Sequence, residues 1–402
     1  MQFLFSLLSL TFPVSAQIFP ALPKCNLASG GYIQKCAYVG DAGASNYITT
    51  VSVEHAQMIA DYVLQHIMLT ATALSLVVVA PTAVVTPPVV EPPHHRLLPY
   101  VDVGKIPAPE VGFATSRIRA TTDTTNPNEN GSGQFRTVCK FSHMNFDDPI
   151  VFPGKQGAAH LHTFFGNTAV NFASTQASIE TTGNSTCSGG TANRTGYWVP
   201  SIIDTKDGTP IKPESVMVYY KTGYIEGDNV KPFPAGLRMI AGDMRSVGPQ
   251  EHIDWGCQTD LGDGPRSKTI GPNCPVGNVI EASIEFPFCW DGVNLDSPDH
   301  KSHMSFQVWN NDTRKLQCPT THPVELPMIT EKIRYRVTEE GSTSRWRLVS
   351  DNYDKTIPGG YSLHADWFNG WDAKVLETWV KNCLQANRDC HVDLLGDGTA
   401  LF

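Results

Sequence analysis

The feature that most constrains this chain is its punctuation, 33 glycines and 29 prolines spread through 402 residues. Inside a helix a glycine costs roughly 1 kcal/mol and a proline about 3 kcal/mol relative to alanine, so long helices are disfavoured throughout. Between the breakers lie short β-prone runs: Ser215 to Tyr220, Val279 to Phe286, Met304 to Trp309, and the pair Lys332 to Thr338 with Arg345 to Ser350. The last two are spaced as a hairpin through Glu339 to Ser344. One late segment, Asp372 to Gln385, has helical spacing, with Val375, Leu376, Trp379, Val380 and Cys383 on one side and Asp372 as its N-cap. Strands at short intervals with a single late helix predict a mainly β protein, a β-sandwich or jelly-roll-like domain, preceded by an irregular N-terminal region.

Three segments are expected. Residues 1–16 are apolar and end in Val14-Ser15-Ala16, the small residues of a signal-peptide cleavage site. Residues 17–110 form an N-terminal region in which Cys25 and Cys36 are close enough for a local bridge and Val51 to His66 has the spacing of a short amphipathic helix. Residues 111–402 form the β-rich domain, with Thr121 to Gly133 as a linker or early loop. Within the N-terminal region, residues 67–90 carry no charge and are long enough to span a bilayer. Pro81, Pro87 and Pro88 would break such a helix, so an extended Pro/Thr/Val linker is weighed against an anchor.

The ten cysteines and four Asn-x-Ser/Thr sequons, at Asn130, Asn184, Asn193 and Asn311, fit an oxidising, glycan-adding route and hence a secreted protein, extracellular or in the cell wall. A formal charge of -9 without any basic run argues against nucleic acid as a partner, because even non-specific binding needs clustered Lys and Arg. Walker-type, dinucleotide-binding, Gly-x-Ser-x-Gly and His-Glu-x-x-His motifs are absent from the sequence, as is Cys-x-x-Cys spacing. Nucleotide hydrolysis, serine-elbow hydrolysis, helical zincin chemistry and dithiol redox chemistry are therefore poor fits.

His160-Leu161-His162, ahead of Phe165-Gly166-Asn167, is the most informative stretch. On a strand, residues two apart face the same way, so both imidazoles would converge on one point, as metal ligands or as a catalytic pair. The bland alternative is a surface pair beside a turn. His364-Ala365-Asp366 repeats the geometry with a carboxylate, which would orient a histidine or complete a two-His, one-carboxylate metal site. Its alternative is a turn in which Asp366 bonds local amides. Asp299-His300-Lys301-Ser302-His303 and His322-Pro323 taken alone are ordinary loop histidines; what favours a role is their concentration beside Gly, Pro and aromatic residues. Nearby aromatics, among them Trp198, Trp290, Trp309, Trp367 and Trp371, are mostly expected in the core, with a minority available for stacking on sugar rings.

These residues resemble a known family, the secreted domain of unknown function numbered nineteen ninety-six, over about Phe135 to Leu395. The resemblance rests on Asp148-Pro149-Ile150-Val151 with Pro153-Gly154, His160-x-His162 with Phe165-Gly166-Asn167, Tyr197-Trp198-x-Pro200 and Gly236 to Gly242. It continues through Cys289-Trp290-Asp291-Gly292, Ser302-His303-Met304, Cys318-Pro319 with His322-Pro323, and Ser362-x-His364-x-Asp366-x-x-Asn369-Gly370-Trp371. It implies an extracellular protein with these His and Asp positions as its site, and points toward polysaccharide, since relatives can carry carbohydrate-binding or wall-associated modules. No such module is recognisable in this sequence.

The expected activity is cleavage of extracellular or cell-wall polysaccharide, by hydrolysis or β-elimination. His160, His162, His364 and Asp366 are the catalytic candidates. His303, Arg238, Asn369, Trp371 and Asn167 are the substrate-binding candidates, Arg238 or Asn369 steadying negative charge. In a metal-dependent form, His160, His162, His303 and Asp366 would hold a divalent ion that acidifies water or neutralises a uronate. Two non-enzymatic alternatives are a glycan or cell-wall binding module and a structural surface protein whose imidazoles satisfy core hydrogen bonds.

Overall fold

The computed structural model describes residues 99–402 apart from 128–131, 224–228, 260–261, 272 and 355, together with the backbone of three short strands, Lys24–Leu27, Tyr32–Ala37 and Val51–Ser52. The expected signal peptide, the 67–90 segment and nearly all of the expected 51–66 helix lie outside the described residues. The first two short strands set Cys25 opposite Cys36. Residues 1–90 and 91–402 are separate compact units, and the second holds every candidate site residue.

The framework of this second unit is a curled antiparallel sheet. The strands are β1 (Gln134–Asn145), β2 (His162–Gly166), β3 (Gly196–Pro200), β4 (Ser215–Lys221), β5 (Arg238–Gly242), β6 (Ile253–Thr259), β7 (Gly262–Ser267), β8 (Val279–Glu285), β9 (Met328–Arg336) and β10 (His364–Phe368). Their spatial order is β5-β10-β3-β2-β1-β4-β9-β8-β6-β7. The long strand β1 joins the two halves: residues 134–140 pair with β4, and 141–145 pair with β2 on the other side, with an irregularity between Phe141 and His143. A bulge there bends and re-aims the strand. The sheet curls so that its halves share one interior, where the Tyr197 hydroxyl of β3 meets the Tyr220 hydroxyl of β4 at 2.7 Å.

The mainly β class holds, and so does the late helix. Asp372 caps it, accepting from the Lys374 and Val375 amides; α-helix runs over Ala373–Trp379 and π-helical turns over Val380–Leu384. The expected hairpin of residues 332–338 with 345–350 does not form. β9 lies between β4 and β8 in the middle of the sheet, and Trp346–Leu348 pairs instead with Ile202–Asp204. Both edges of β9 are taken by long partners, which outweigh a local turn. Met304 to Trp309 is two short strands, Met304–Ser305 and Val308–Asn310, rather than one.

Four disulfides tie the described unit, Cys139–Cys187, Cys257–Cys274, Cys289–Cys318 and Cys383–Cys390. No helix among the described residues is long and apolar enough to cross a membrane.

The half-sheet β5-β10-β3-β2 is buried on both faces, which is why its strands lack polar alternation. Its inner face carries Phe165, Tyr197, Val199, Ala365 and Trp367. Its outer face carries a second core of Phe164, Trp198, Ile240 and Phe368, roofed by Ile150, Val170 and Ile179. The roof is the loop after β1, the loop after β2 and the short helix α1, Gln176–Thr181. Every candidate histidine and carboxylate of the 160s and 360s lies at one end of this outer core.

Candidate functional site

Strand register brings together residues about 200 positions apart. On β10, His364 and Asp366 point to one face, where Asp366 is opposite Trp198 of β3 and Ile240 of β5. On β2, His162 is opposite Pro200 of β3 and shares that face with Phe164. His160 lies two residues before the strand begins. The ring centroids of His160 and His162 are 4.3 Å apart, those of His160 and His364 5.0 Å, and those of His162 and His364 5.9 Å.

Each of two groups, His160-His162-His364 and Asp148-His162-Asp366, has ligand atoms within 4.8 Å of one another. Donors bound to one ion at about 2.1 Å can be at most about 4.2 Å apart, so closing either group on a metal needs only small inward shifts. His162 belongs to both. Its Nδ1 lies 2.9 Å from the Asp147 carbonyl, which can only accept, so this nitrogen carries the proton and a single lone pair, on Nε2, remains for the site. An ion placed on that nitrogen would draw on residues of both groups.

His364 is oriented in the same way, its Nδ1 donating to the Ser362 carbonyl at 3.0 Å. Anchoring one ring nitrogen on a carbonyl and aiming the other inward is how proteins orient metal-binding imidazoles. The anchors are themselves held. Asp147 Oδ1 accepts from the Gly157 amide, and Asp148 Oδ1 accepts from the Ile150 and Val151 amides, pinning the roof loop. Asp351 accepts from the Leu348 and Gly360 amides through one oxygen and from the Ser362 amide and hydroxyl through the other.

Burial shapes the electrostatics. It pushes the His162 imidazole down to about 4 and the His364 imidazole down to about 3, so both are neutral at pH 7. It also raises the carboxyls of Asp148 and, well above the usual range, Asp366, where the charge of Asp148 further opposes ionisation. Asp366 is 1 % exposed, and neither of its oxygens has a hydrogen-bond partner among the described residues. An unpaired buried carboxylate costs several kcal/mol against a total stability of about 5–15 kcal/mol, so this group calls for a proton or a cation. The buried Nε2 of His162 likewise lacks a partner. Two carboxylates and three imidazoles of this kind suit a first-row divalent ion with affinity for nitrogen, such as zinc.

Of the expected substrate-binding residues, Arg238 lies on the face of the site, its guanidinium 4.7 Å from the Phe368 ring centroid. The others are used internally. His303 Nε2 donates to the Arg238 carbonyl at 2.7 Å and its Nδ1 lies 2.9 Å from Ser297 Oγ, so both ring nitrogens are occupied, and the ring belongs to neither of the two groups whose geometry could hold a metal. Asn369 bridges the Pro234 carbonyl and the Trp371 amide. The Trp371 indole donates to the Tyr220 hydroxyl inside the main core. Asn167 donates to the Ile179 and Thr182 carbonyls and accepts from the Ala169 amide. Asp148 is the site residue that spacing did not single out. Its one signal was the Asp-Pro step ahead of the paired histidines.

No curated protein and no solved structure matches this chain. A family model described as a domain of unknown function matches residues 148–371, a span that runs from the first carboxylate of the site to just beyond the last. The chain belongs to this family, DUF1996.

Proposed function

We propose that this protein is a secreted, metal-assisted enzyme that cleaves extracellular or cell-wall polysaccharide, by hydrolysis or β-elimination. The observation that carries the reading is the pairing of two carbonyl-anchored, neutral imidazoles with a buried carboxyl that has no partner of its own. His162 and His364 would hold a divalent ion through Nε2. His160, the one member of the group that is only half-buried, would complete the ligand set from the solvent side. Such an ion would acidify a bound water or neutralise charge developing on the substrate. Asp366, kept from ionising by burial, would serve as the proton donor. Four disulfides suit the oxidising route that secretion implies.

The test is metal analysis of the purified full chain, followed by incubation with polysaccharides before and after chelation. About one ion per chain is expected, with new reducing ends or unsaturated-sugar absorbance that vanish on chelation and return with metal. Protein that neither carries nor takes up an ion, and releases no product, would overturn the reading. A non-catalytic glycan-binding role draws support from Trp309, 58 % exposed on its hairpin as a flat apolar surface. A glycan-array signal without product on prolonged incubation would select that reading.

A further inference from the structure

The hairpin of Val308–Asn310 with Lys315–Gln317 takes no part in the core, for none of its strand residues is buried. Its second strand runs directly into Cys318, which the bridge to Cys289 ties down. Two strands alone are marginally stable in water, so such a hairpin gains from any apolar contact laid on its face. Yet Val308 is 45 % exposed and Trp309 58 %, the latter opposite Leu316 on the partner strand.

The turn sets an asparagine beside that indole. It spans residues 311–314; Asn310 Oδ1 accepts from the Asp312 and Thr313 amides at 2.8 and 3.0 Å, and Arg314 closes it with φ 53°. Asn310 is thus spent on the turn, whereas Asn311, Asp312 and Thr313, a complete acceptor sequon, are all exposed. Trp309 and Asn311 are two positions apart, so their side chains leave the strand on one side, on the order of 6–7 Å of extended chain from each other. Of the four sequons only this one has an aromatic residue two places upstream; the others have Asn128, Thr182 and Thr191 there.

We infer that Asn311 is an N-glycosylation site whose first sugar lies on the Trp309 ring, so that the chain's own glycan covers the exposed indole and clamps the hairpin. The donor is a polyprenyl-diphosphate-linked oligosaccharide of the secretory route. Asn311 Nδ2 bonds to its anomeric carbon, the bond from that carbon to the diphosphate oxygen breaks, polyprenyl diphosphate leaves and the amide gives up one proton. The linked N-acetylhexosamine presents a face of C–H bonds whose partial positive charge meets the negative face of the indole. Because the sugar is tethered two residues away, its contact with Trp309 is intramolecular and favoured by a high effective concentration. A Trp309 face covered in this way is closed to a free glycan.

The experiment uses the full chain made in a secretory eukaryotic host and reads amide hydrogen exchange of residues 308–317 by mass, on glycosylated and unglycosylated species separately. Wild type is compared with Asn311→Gln, Trp309→Ala and the double variant, and with wild type trimmed by an endoglycosidase to a single sugar. Exchange in the hairpin should be about fivefold or more slower in glycosylated wild type than in Asn311→Gln, and the slowing should survive trimming. In the Trp309→Ala background the glycan should change exchange less than about twofold. Proton NMR of the trimmed protein should show contacts between the sugar C–H protons and the Trp309 ring, a readout independent of whether the variants accept glycan. An unoccupied Asn311, exchange equally fast with and without glycan, a slowing that Trp309→Ala leaves intact, or absence of the sugar–indole contacts would each overturn the inference.

Discussion

His162 and His364, on strands separated by β3, each spend Nδ1 on a backbone carbonyl, and their rings come within 5.9 Å of each other, centroid to centroid. The carbonyl that His162 meets lies 15 residues away in sequence, and the one that His364 meets lies two away. Asp147 and Ser362 are fixed by separate networks, one in the roof loop and one around Asp351. The inward aim of the two Nε2 atoms is therefore built into the fold before any ligand arrives.

Asp366→Asn keeps the shape of the side chain and removes the unpaired buried acid. In chelator-treated protein it should raise stability by about 1–3 kcal/mol, read from thermal or urea unfolding. In the presence of zinc the order should reverse, and metal affinity should fall about 10–100-fold, as for other groups that support a metal. A variant that is less stable than wild type without metal would show that Asp366 has an unrecognised partner.

His303 provides a contrast. Because both ring nitrogens are occupied between Ser297 and the Arg238 carbonyl, His303→Ala should cost about 2 kcal/mol of stability while metal content stays at the wild-type value. His162→Ala should behave in the opposite way, losing the metal with a smaller stability change in metal-free protein. Metal analysis and unfolding of the two variants side by side check this.

Among the sequons, the fold separates positions that sequence treats alike. Asn193 is fully buried and donates to the Tyr197 hydroxyl, and the Asn184 amide donates to the Val111 carbonyl. Asn311 sits exposed at the tip of the hairpin formed by Val308–Asn310 and Lys315–Gln317. Protein made in a secretory host should carry glycan at Asn311 and none at Asn193, as peptide mass spectrometry after endoglycosidase treatment would report. A glycan at Asn193 would be incompatible with the packed interior around Tyr197 and Tyr220.

Asp393 supplies a pH dependence. Burial raises its carboxyl to about 6 from a usual 3.8. A folded-state value above the unfolded one means that the native state holds the proton more tightly. Its contribution to stability is fully present below about pH 4 and is lost as pH rises to about 6. Asp393→Asn should therefore raise stability by about 1–3 kcal/mol at pH 7, with the gain fading below pH 4. The backbone there has φ 66°, which asparagine adopts readily. Equal pH profiles for the two proteins would contradict the assignment.

Much of the site was legible in the residues. Spacing of two in His160-x-His162 and His364-x-Asp366 predicts shared faces, and His364 and Asp366 do share one on β10, while His160 reaches His162 from just outside β2. What spacing could not reveal is which of several polar residues are consumed by the fold. His303, Asn167, Asn369 and Trp371 have the composition of ligand-binding groups, yet each bonds carbonyls, amides or hydroxyls within the domain. The false hairpin at residues 332–350 has a similar cause, since the edges of β9 were already claimed by β4 and β8.

The sequence by itself determined the class of the fold, the capped late helix and the pairs of side chains that face together, because breaker frequency, periodicity and capping act within a few residues. Only the tertiary structure decided that Asp148, His160, His162, His364 and Asp366 meet, because their meeting depends on register across β5, β10, β3 and β2 and on a roof loop held by its own aspartates. Burial, likewise a property of the assembled layers, is what keeps the imidazoles neutral and leaves the carboxyl of Asp366 in need of a cation or a proton.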